Sequence, residues 1–453
     1  MRKVLLILAA FLLSLTMTGC LAENTNLDPK NPTTLSIWHV YGDQTKSPFN
    51  DAIDRFNRTV GRDKGVIIRV LSITTSYSID KGLVDAAKKL PGAAEMPDLF
   101  IAYPRVANTL PKNILLDWNN YLSKEERANY IEAFLSEGYI DGQQLMLPIA
   151  KSSEVLFLNQ TLFDRFSAQN NIDTSGLLYW ETLLPLCNKY YDWSGGKYMF
   201  KLNDTYHYFV TEMMSRNPAL NLSQNSIDVR STEFAAAFYP FARAAIYGGL
   251  CLEHGFASDL WKTADVISST GSTAEVLYLR DDVTYSNGVK EKITLQVFPY
   301  PKSKFGKSVA IQRGGGLFAT KSDDERKNKA AAVFAKWITS NQENLSFTME
   351  TGYIPVNIKA AESLFANYEN VSNPKYRNLY HAVSQMYNKY HFCSTPLSKS
   401  SQSSQKSFEN ALQKILTHAH AEFKQRSAAG ENRDQILDKL ISESLTKMQK
   451  ELL

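Results

Sequence analysis

The chain has 453 residues, of which 44% are hydrophobic and 21% are charged, an ordinary globular balance with enough apolar material for more than one core. Its formal net charge of +4 is small for this length. Proteins that bind nucleic acid usually carry a strongly basic face, so the charge argues against nucleic acid as a partner.

The first twenty residues carry the features of an export signal. Arg2 and Lys3 form a basic start, and residues 4–15 form an apolar stretch that is too short to span a membrane comfortably. Small residues then lead to Cys20, and this ending resembles a bacterial lipobox, whose cysteine is lipidated after cleavage. The alternative is a plain signal peptide with a chance cysteine. We therefore expect a signal peptide over residues 1–19 and a lipidated, polar tether over residues 20–33.

Three further cysteines, Cys187, Cys251 and Cys393, lie far apart in the chain. An odd number without close spacing indicates neither a disulfide framework nor a zinc site. We expect buried thiols, and a pair between Cys251 and Cys393 stays open at this point.

Short apolar runs alternate with amphipathic segments after the tether. The pattern predicts strands and helices in the order strand 34–42, helix 47–60, strand 65–73, helix 80–90 and strand 96–103. Such an alternation is typical of right-handed βαβ units, so the sequence predicts an α/β fold with a mostly parallel sheet.

The second half of the chain is mostly helical, with isolated strands. An aromatic-rich helical section covers residues 177–262, and strand-like runs follow at 264–270 and 292–301. The last helix spaces Ile436, Leu440, Leu445 and Met448 as an apolar stripe, which we expect to pack on its own domain. The serine-rich segment 397–407 predicts an exposed loop.

Five segments together carry a family resemblance. They are the stretches "MTGC", "LSIWHVYG", "PDLFIAY", "LPIAKSSEVLFLNQTLF" and "GGGLFATKSDDERKNKAAAVFAKWITSNQENLSFTMETGYIPV". In order and spacing the chain resembles the bacterial extracellular solute-binding proteins (family 1) of ABC transporters, in the maltose/glycerol-3-phosphate-binding group.

The resemblance implies a two-lobed periplasmic-binding-protein fold of type II, in which each hinge-linked lobe has a central β-sheet flanked by helices. Lobe I would contain residues 34–150 and 301–350, and lobe II residues 151–300 and 351–453. The chain would cross between the lobes near residues 150–153, 298–301 and 351–355.

The resemblance also implies a function. A carbohydrate would bind between the lobes, hinge closure would trap it, and the closed protein would deliver it to the transmembrane subunits of an ABC permease. We expect a monomer without enzymatic activity, cofactor or metal, lipid-anchored outside the cytoplasm, in the periplasm or at the outer face of the cytoplasmic membrane. The alternatives are a binding protein for glycerol-3-phosphate or another polyol phosphate, and a secreted glycoside hydrolase. The phosphate-binding branch uses a late arginine, whereas this region has Gln405 and Lys406, which favours a neutral sugar.

Three tyrosines are candidates for ligand contact. Tyr41 and Tyr103 end predicted strands, and open α/β sheets bind ligands at the carboxyl ends of their strands. Tyr353 lies at the third predicted crossing, where the resemblance implies a ligand-binding tyrosine.

Hydroxyl side chains supply a second group of candidates. Ser152 or Ser153, at the first crossing, has a short donor and acceptor suited to a sugar hydroxyl. Thr270 and Ser272 follow a predicted strand, where the resemblance implies cleft residues; the same loop suits an N-cap for the next helix.

Aromatic side chains and glycines complete the predicted site. Trp193 and Tyr208 are the aromatic candidates for stacking on a sugar ring. The glycines at 314–316 fit neither the P-loop pattern nor the dinucleotide-binding pattern. We expect Gly314 and Gly315 to form the cleft floor, where the backbone approaches the ligand, and a plain turn is the alternative. Arg313 beside them is either a solvated charge or a cation for an anionic solute.

Overall fold

The computed structural model describes residues 26–41, 47–73, 76–111, 113–220, 222, 227–394 and 401–452. Cys20 and the signal segment lie outside the described residues, as do residues 21–25 of the tether. No helix in the described ranges is long and apolar enough to cross a membrane.

A four-stranded sheet is built mainly from the first part of the chain. Its strands are β1 (Thr33–His39), β2 (Val66–Ile73), β3 (Leu99–Ala102) and β14 (Gly316–Ala319), in the spatial order β14-β3-β1-β2. Strand β1 pairs in parallel with β2 and with β3, as the βαβ alternation predicts, and β14 joins the edge antiparallel to β3.

Helices cover this sheet and close its core. They are α1 (Pro48–Arg58), α2 (Val60–Lys64), α3 (Ser76–Ala87), α11 (Glu325–Ile338) and α12 (Asn341–Thr351). Ser47 caps α1 by accepting a hydrogen bond from the Asn50 amide, and Phe49 and Phe56 are fully buried on its inner face. Each buried aromatic ring contributes roughly 1.5–3 kcal/mol of hydrophobic stabilisation.

A larger mixed sheet has the spatial order β15-β13-β6-β9-β7-β8, with β12 also paired to β6. Its strands are β6 (Ser152–Asn159), β7 (Phe200–Leu202), β8 (Leu250–Cys251), β9 (Ser268–Ser272), β12 (Leu295–Pro299), β13 (Val309–Arg313) and β15 (His391–Cys393). Strand β6 is buried along its whole length because it lies in the middle of this sheet.

Helices surround the larger sheet as well. They are α6 (Gln160–Asn170), α7 (Trp180–Trp193), α8 (Thr205–Arg216), α9 (Thr232–Tyr247), α10 (Ala257–Trp261), α14 (Pro374–Tyr387), α15 (Ser401–Ala428) and α16 (Arg433–Glu451). The apolar stripe of α16 packs against α9 and α15, with Ile436, Leu440 and Met448 buried and Leu445 half-buried, so this helix belongs to its own domain as expected.

The remaining short elements lie between these two groups or at the surface. They are α4 (Lys124–Arg127), α5 (Glu132–Leu135), β4 (Tyr139–Ile140), β5 (Gln143–Gln144), β10 (Asp282–Thr284), β11 (Lys290–Lys292) and α13 (Ile358–Ala366).

From Ser401 onward the serine-rich segment is helical, not a loop, because the helix continues into the buried residues Phe408 and Leu412, and tertiary packing overrides its polar composition; residues 397–400 lie outside the described part. Cys187, Cys251 and Cys393 are free and buried, which confirms the expected thiols and rules out a Cys251–Cys393 disulfide.

The two sheets are connected by chain segments that run side by side. Lys151 and Ile354 exchange two backbone hydrogen bonds of 3.0 and 2.6 Å, so the first and third predicted crossings pair with each other. Strand β13 pairs with β6 in the larger sheet, and β14 pairs with β3 in the smaller one. The chain therefore passes between the sheets at Gly314–Gly315 and not near residues 298–301, because both β12 and β13 pair with β6 in the larger sheet.

Candidate functional site

A cavity of about 500 Å³ lies between the elements of the smaller sheet and those of the larger sheet. The side of the smaller sheet contributes the segment after β3, together with Glu137, and the other side contributes the ends of β7, β8 and β13 and one face of α15. The residues that line the cavity include Tyr103, Arg105, Lys201, Asp204, Tyr206, His207, Glu253, Gln312, Arg313, Gln405, Lys406 and Glu409.

The wall on the side of the smaller sheet carries an aromatic ring backed by a paired cation. Tyr103 ends β3 and precedes a short 3-10 helix (Pro104–Asn108). The Arg105 guanidinium lies 4.7 Å from the centre of the Tyr103 ring and forms a 2.8 Å ion pair with Asp80. Burial raises the pKa of Asp80, and the charge of Arg105 opposes that rise. The ion pair fixes Arg105, which in turn limits the orientation of Tyr103.

The opposite wall contains a buried network around His207. Asp204 follows β7 and caps helix α8 by accepting a hydrogen bond from the His207 amide at 3.2 Å. Its carboxylate also lies 3.3 Å from His207 Nδ1, and the same nitrogen is 2.7 Å from Glu154 Oε1. Arg313 Nη1 donates to that Glu154 oxygen at 2.9 Å. Two cationic groups therefore converge on one buried carboxylate.

These contacts change the pKa values of His207 and Arg313. Burial lowers the pKa of His207, but the Asp204 and Glu154 carboxylates outweigh burial, so its pKa is raised overall. Burial acts in the same direction on Arg313, and Glu154 again reverses the effect and raises the pKa of the guanidinium. Both side chains are held in their charged forms by neighbouring acids.

Two further carboxyl groups near this network have pKa values raised to about 7. For Glu409 the main cause is burial, followed by the charge of Asp204. For Glu275 burial is again the main cause, and Arg313 opposes it. Glu275 Oε2 accepts a 2.6 Å hydrogen bond from Asn203. The network therefore has more acid groups than its two cations balance, and protons on Glu275 and Glu409 relieve part of the excess.

One group within the described residues has the geometry of a metal site, namely Glu154, Asp204 and His207, whose ligand atoms lie within 4.8 Å of one another. The charges around these three residues disfavour the binding of a metal ion. The Arg313 guanidinium occupies Glu154, and His207 would have to lose a proton that its neighbours stabilise.

A buried lysine links the chain segments that connect the two sheets. Lys151 is fully buried, pairs with Glu137 and donates a 2.7 Å hydrogen bond to the Gly314 carbonyl. Gly314 has φ +98°, a conformation that glycine adopts without strain. A Cβ on Gly315 would lie 2.7 Å from the Ala102 carbonyl oxygen, and one on Gly316 would lie 2.6 Å from that of Leu147. The glycines thus allow the backbones of neighbouring segments to approach each other closely. Protein atoms fill the space that their side chains would occupy.

The structure places the three predicted tyrosines close together but in different roles. Tyr103 lines the cavity. The Tyr41 and Tyr353 rings meet edge to face at 5.2 Å, and the buried Tyr41 hydroxyl has no hydrogen-bond partner among the described residues. Burial, reinforced by Tyr103, raises the pKa values of both Tyr41 and Tyr353. Tyr41 and Tyr353 therefore support the wall behind Tyr103.

The predicted hydroxyl residues are engaged within the protein. Ser152 is buried and pairs with Arg313 across β6 and β13, and Ser153 Oγ donates to the Ile311 carbonyl at 2.9 Å. Thr270 is buried inside β9. Ser272 forms a capping box with Glu275, which is the N-cap alternative stated above. These residues lie outside the cavity lining because backbone groups and neighbouring strands cover them.

Two of the predicted aromatic residues lie away from the cavity. Tyr208 is fully buried, donates to the Ala237 carbonyl at 3.0 Å and meets Trp180 edge to face at 4.9 Å, so it is a core residue. Trp193 ends helix α7, donates to Gln169 at 2.7 Å and lines a separate cavity of about 320 Å³. Helical position decided both placements, since α7 and α8 turn these rings away from the cavity between the sheets.

Sequence reasoning missed the charged wall. Asp204 directly follows a short strand and precedes a helix, so the rule that ligands bind at strand ends would have pointed to it. Glu409 and Gln405 carry no local signal, because α15 reaches the cavity only through tertiary packing. Arg313, for which the sequence left two roles open, is 27% exposed at the cavity and is paired with Glu154, so it is not a free cation.

Comparisons with known proteins agree with this architecture. A family model described as "Bacterial extracellular solute-binding protein" matches residues 51–373, which confirms the resemblance found in the sequence. A binding protein of Brucella abortus (strain 2308) is 28% identical over 116 residues; the match spans 23% of this chain and only 27% of that relative.

Solved structures extend the likeness over nearly the whole chain. The cyclic alpha-maltosyl-1,6-maltose binding protein from Arthrobacter globiformis is similar with a TM-score of 0.63 and 16% identity, over 92% of this chain and 100% of the other. UgpB from Mycobacterium tuberculosis, in complex with glycerophosphocholine, is similar with a TM-score of 0.64 and 13% identity, over 93% and 100%. These likenesses show that the chain has the two-lobed periplasmic-binding-protein fold.

Proposed function

Since the chain belongs to the bacterial extracellular solute-binding protein family, we propose that it captures a carbohydrate in the cavity between its lobes and delivers it to an ABC permease. Capture proceeds by closure of the two lobes around the hinge segments, and the protein does not transform its ligand.

The observation that carries this proposal is the cavity itself. Its volume of about 500 Å³ falls within the range typical of sites for small molecules. Polar side chains dominate its lining, and Tyr103 offers an aromatic surface braced by Arg105. Sugars suit such a surface, because their C–H faces pack on a ring while their hydroxyls bond polar groups at the rim. Neighbours of the same fold that bind maltose-type oligosaccharides support the same class.

The lobes in this proposal follow sheet membership. Lobe I consists of the smaller sheet and its helices, including β14, and lobe II consists of the larger sheet, including β13. The hinge lies where residues 150–152, 314–315 and 352–354 run together around Lys151. Three adjacent passages allow rotation of the lobes while their own cores stay intact.

A polyol phosphate is the second candidate, because one neighbour of this fold holds glycerophosphocholine. A phosphate needs an unpaired cation or several donors. Both arginines that line the cavity are instead paired with carboxylates, Arg105 with Asp80 and Arg313 with Glu154. This pairing disfavours a ligand that needs a bidentate arginine, although Lys201 and Lys406 also line the cavity and form no ion pair within the described residues.

The anchoring part of the proposal concerns Cys20. We propose that a lipid on this cysteine holds the chain outside the cytoplasmic membrane, so that the cavity meets solutes before they enter the cell. Incorporation of a radiolabelled fatty acid into the wild-type chain, and its loss in a Cys20→Ala variant, would support the anchor. Labelling that persists in the variant would refute it.

Thermal unfolding in the presence of a panel of sugars, oligosaccharides and polyol phosphates tests the ligand class, because a ligand that binds the native state raises Tm. The expected result is a rise with at least one carbohydrate and a loss of affinity of about tenfold in Tyr103→Ala. Tyr139→Ala is the matched control, since Tyr139 is an exposed ring outside the cavity. Absence of any shift, or cleavage products from an oligosaccharide, would contradict the proposal.

A further inference from the structure

A buried lysine lines the cavity without a carboxylate partner. Lys201 lies in β7, is only 3% exposed and forms part of the cavity lining. Its Nζ donates a hydrogen bond to the backbone carbonyl of Glu253 and forms no ion pair within the described residues. That carbonyl takes one of the three N–H donors of the ammonium. The side chain therefore brings to the cavity a positive charge that no neighbouring acid neutralises directly.

The contrast with the other buried lysine shows that this arrangement is unusual. Two lysines are buried among the described residues, Lys151 and Lys201. Lys151 pairs with the Glu137 carboxylate, as a buried ammonium requires if its loss of hydration is to be offset. Lys201 lacks such a partner, and burial lowers its pKa, which the Cys251 thiol and the Glu253 carboxylate oppose only in part. An anion bound beside Lys201 would remove this penalty.

The ammonium is held in place by three elements that meet in the cavity wall. Gln413 of α15 donates to the Leu252 carbonyl at 2.8 Å, and Lys201 donates to the next carbonyl of the same segment. Leu252 and Gln413 line the cavity as well. Lys406 lies two turns before Gln413 on the same face of α15 and is exposed, so it adds positive potential at the rim. Strand β7, the segment after β8 and α15 thus build one cationic subsite.

The carboxyl groups of this wall do not neutralise the subsite. The lining there has four cationic side chains and three carboxyl groups: Lys201, His207, Arg313 and Lys406 against Asp204, Glu253 and Glu409. Asp204 is matched by His207, whose Nδ1 lies 3.3 Å from its carboxylate. Glu253 is exposed, so water screens its charge. The pKa of Glu409 is raised to about 7, chiefly by burial, so only about half of this group is ionised at neutral pH.

We propose that the solute is an acidic sugar, whose carboxylate pairs with the Lys201 ammonium. This inference rests on the proposed capture of a carbohydrate and narrows its class to sugars with a uronic acid unit. The carboxylate supplies the counter-ion that the buried ammonium lacks, and its oxygens accept the remaining N–H donors. A phosphate fits less well, because it carries more charge than one ammonium balances and both arginines of the lining are already paired with carboxylates.

Calorimetric titration of the full chain, purified in a neutral detergent at neutral pH, tests the inference directly. The probes are glucuronic acid, galacturonic acid and their 1,4-linked disaccharides, each compared with the neutral sugar that has a CH₂OH group in place of the carboxylate. We expect at least one acidic sugar to bind about 10- to 100-fold more tightly than its neutral match, as charge-assisted hydrogen bonds do. This comparison uses only the wild-type protein, so it does not depend on whether a variant folds.

Variants then locate the carboxylate. Lys201→Met keeps much of the side-chain length and removes the charge, so it should lower the affinity for the acidic sugar to that for its neutral match. Lys201→Arg keeps the charge and should retain a part of the preference, which a purely structural role would not explain. Lys197→Met is the control, because it removes the same charge four residues earlier, at an exposed residue that lines the separate smaller cavity. This control should keep the full preference.

Salt distinguishes the buried ammonium from the exposed cations. Raising NaCl from about 0.05 M to about 0.5 M screens exposed charges such as Lys406, whereas a buried ion pair is screened much less. The preference for the acidic sugar should therefore fall by no more than about threefold over this range. A preference that disappears in salt would place the carboxylate at the rim and overturn the role of Lys201.

The outcomes separate the two proposals. If neutral sugars bind as tightly as their acidic matches, or if Lys201→Met keeps the full preference, the acidic-sugar inference is overturned and carbohydrate capture stands. Glucose 6-phosphate is the remaining probe, and tighter binding of it than of every uronic acid would overturn the choice of a carboxylate. If neither acidic nor neutral sugars bind, the proposed capture of a carbohydrate fails, and this inference fails with it.

Discussion

Replacement of Lys151 by methionine should destabilise the protein strongly, because this lysine joins the segments that run between the lobes. Its side chain is 0% exposed, and the Glu137 carboxylate that it pairs with is only 5% exposed. The same ammonium donates a 2.7 Å hydrogen bond to the Gly314 carbonyl. Methionine fills a similar volume but leaves a buried carboxylate and a buried carbonyl without their partner.

The expected loss of unfolding free energy is about 3–5 kcal/mol, which is typical when one partner of a buried ion pair is removed. An unfolding entropy of about 2.1 cal/mol/K per residue makes one degree worth roughly 1 kcal/mol for a chain of this length. The variant should therefore melt about 3–5 °C below the wild-type protein.

Scanning calorimetry of four proteins measures this effect as a double-mutant cycle: wild type, Lys151→Met, Glu137→Gln and the double variant. The double variant should recover at least half of the lost stability, because it no longer buries an unpaired charge. Lys81→Met is the matched control, since Lys81 is 76% exposed in its pair with Asp85 and should cost less than about 1 kcal/mol. A shift below 1 °C in Lys151→Met, or additive effects in the double variant, would refute the reasoning.

Three further predictions follow from the packing and protonation of the site. Gly315→Ala should cost about 1–3 kcal/mol of unfolding free energy, because its Cβ would lie 2.7 Å from a backbone oxygen, whereas Gly176→Ala, whose Cβ would lie at an ordinary contact distance of 3.9 Å from the Thr182 Cβ, should cost less than about 1 kcal/mol in the same urea titration. The pKa of Glu409 is raised from 4.5 to about 7, so between these pH values the folded state binds more protons than the unfolded state. Proton binding by Glu409 therefore stabilises the folded state at low pH, and this contribution should be lost as pH rises from about 4.5 to 7. Glu409→Gln should reduce this fall in unfolding free energy by about 3 kcal/mol in urea titrations at several pH values, and an unchanged slope would contradict the assignment. Tyr208→Phe should cost about 1–2 kcal/mol of stability through the lost bond to Ala237, and its affinity for the solute should match wild type; a weakened affinity would return Tyr208 to the cavity.

Much of the fold followed from local sequence patterns. The strand that begins at Thr33, the helix with Phe49, Ile53 and Phe56 on its inner face, and the strand that ends before Tyr103 were all predicted. Period and composition sufficed there, because each element buries one face against a neighbour that is close in the chain. The family resemblance supplied the two lobes, and the structural neighbours confirm that fold.

Tertiary structure alone decided which side chains meet in the cavity. Asp204 and Glu409 are more than two hundred residues apart, and only the packing of the long helix at residues 401–428 against the larger sheet brings their carboxyl groups together. The same packing turns Tyr208 into the core and leaves Tyr103 in the wall. Sequence thus determined the elements, because their periodicity is local, whereas the charge balance of the cavity depends on distances between residues that no local pattern encodes.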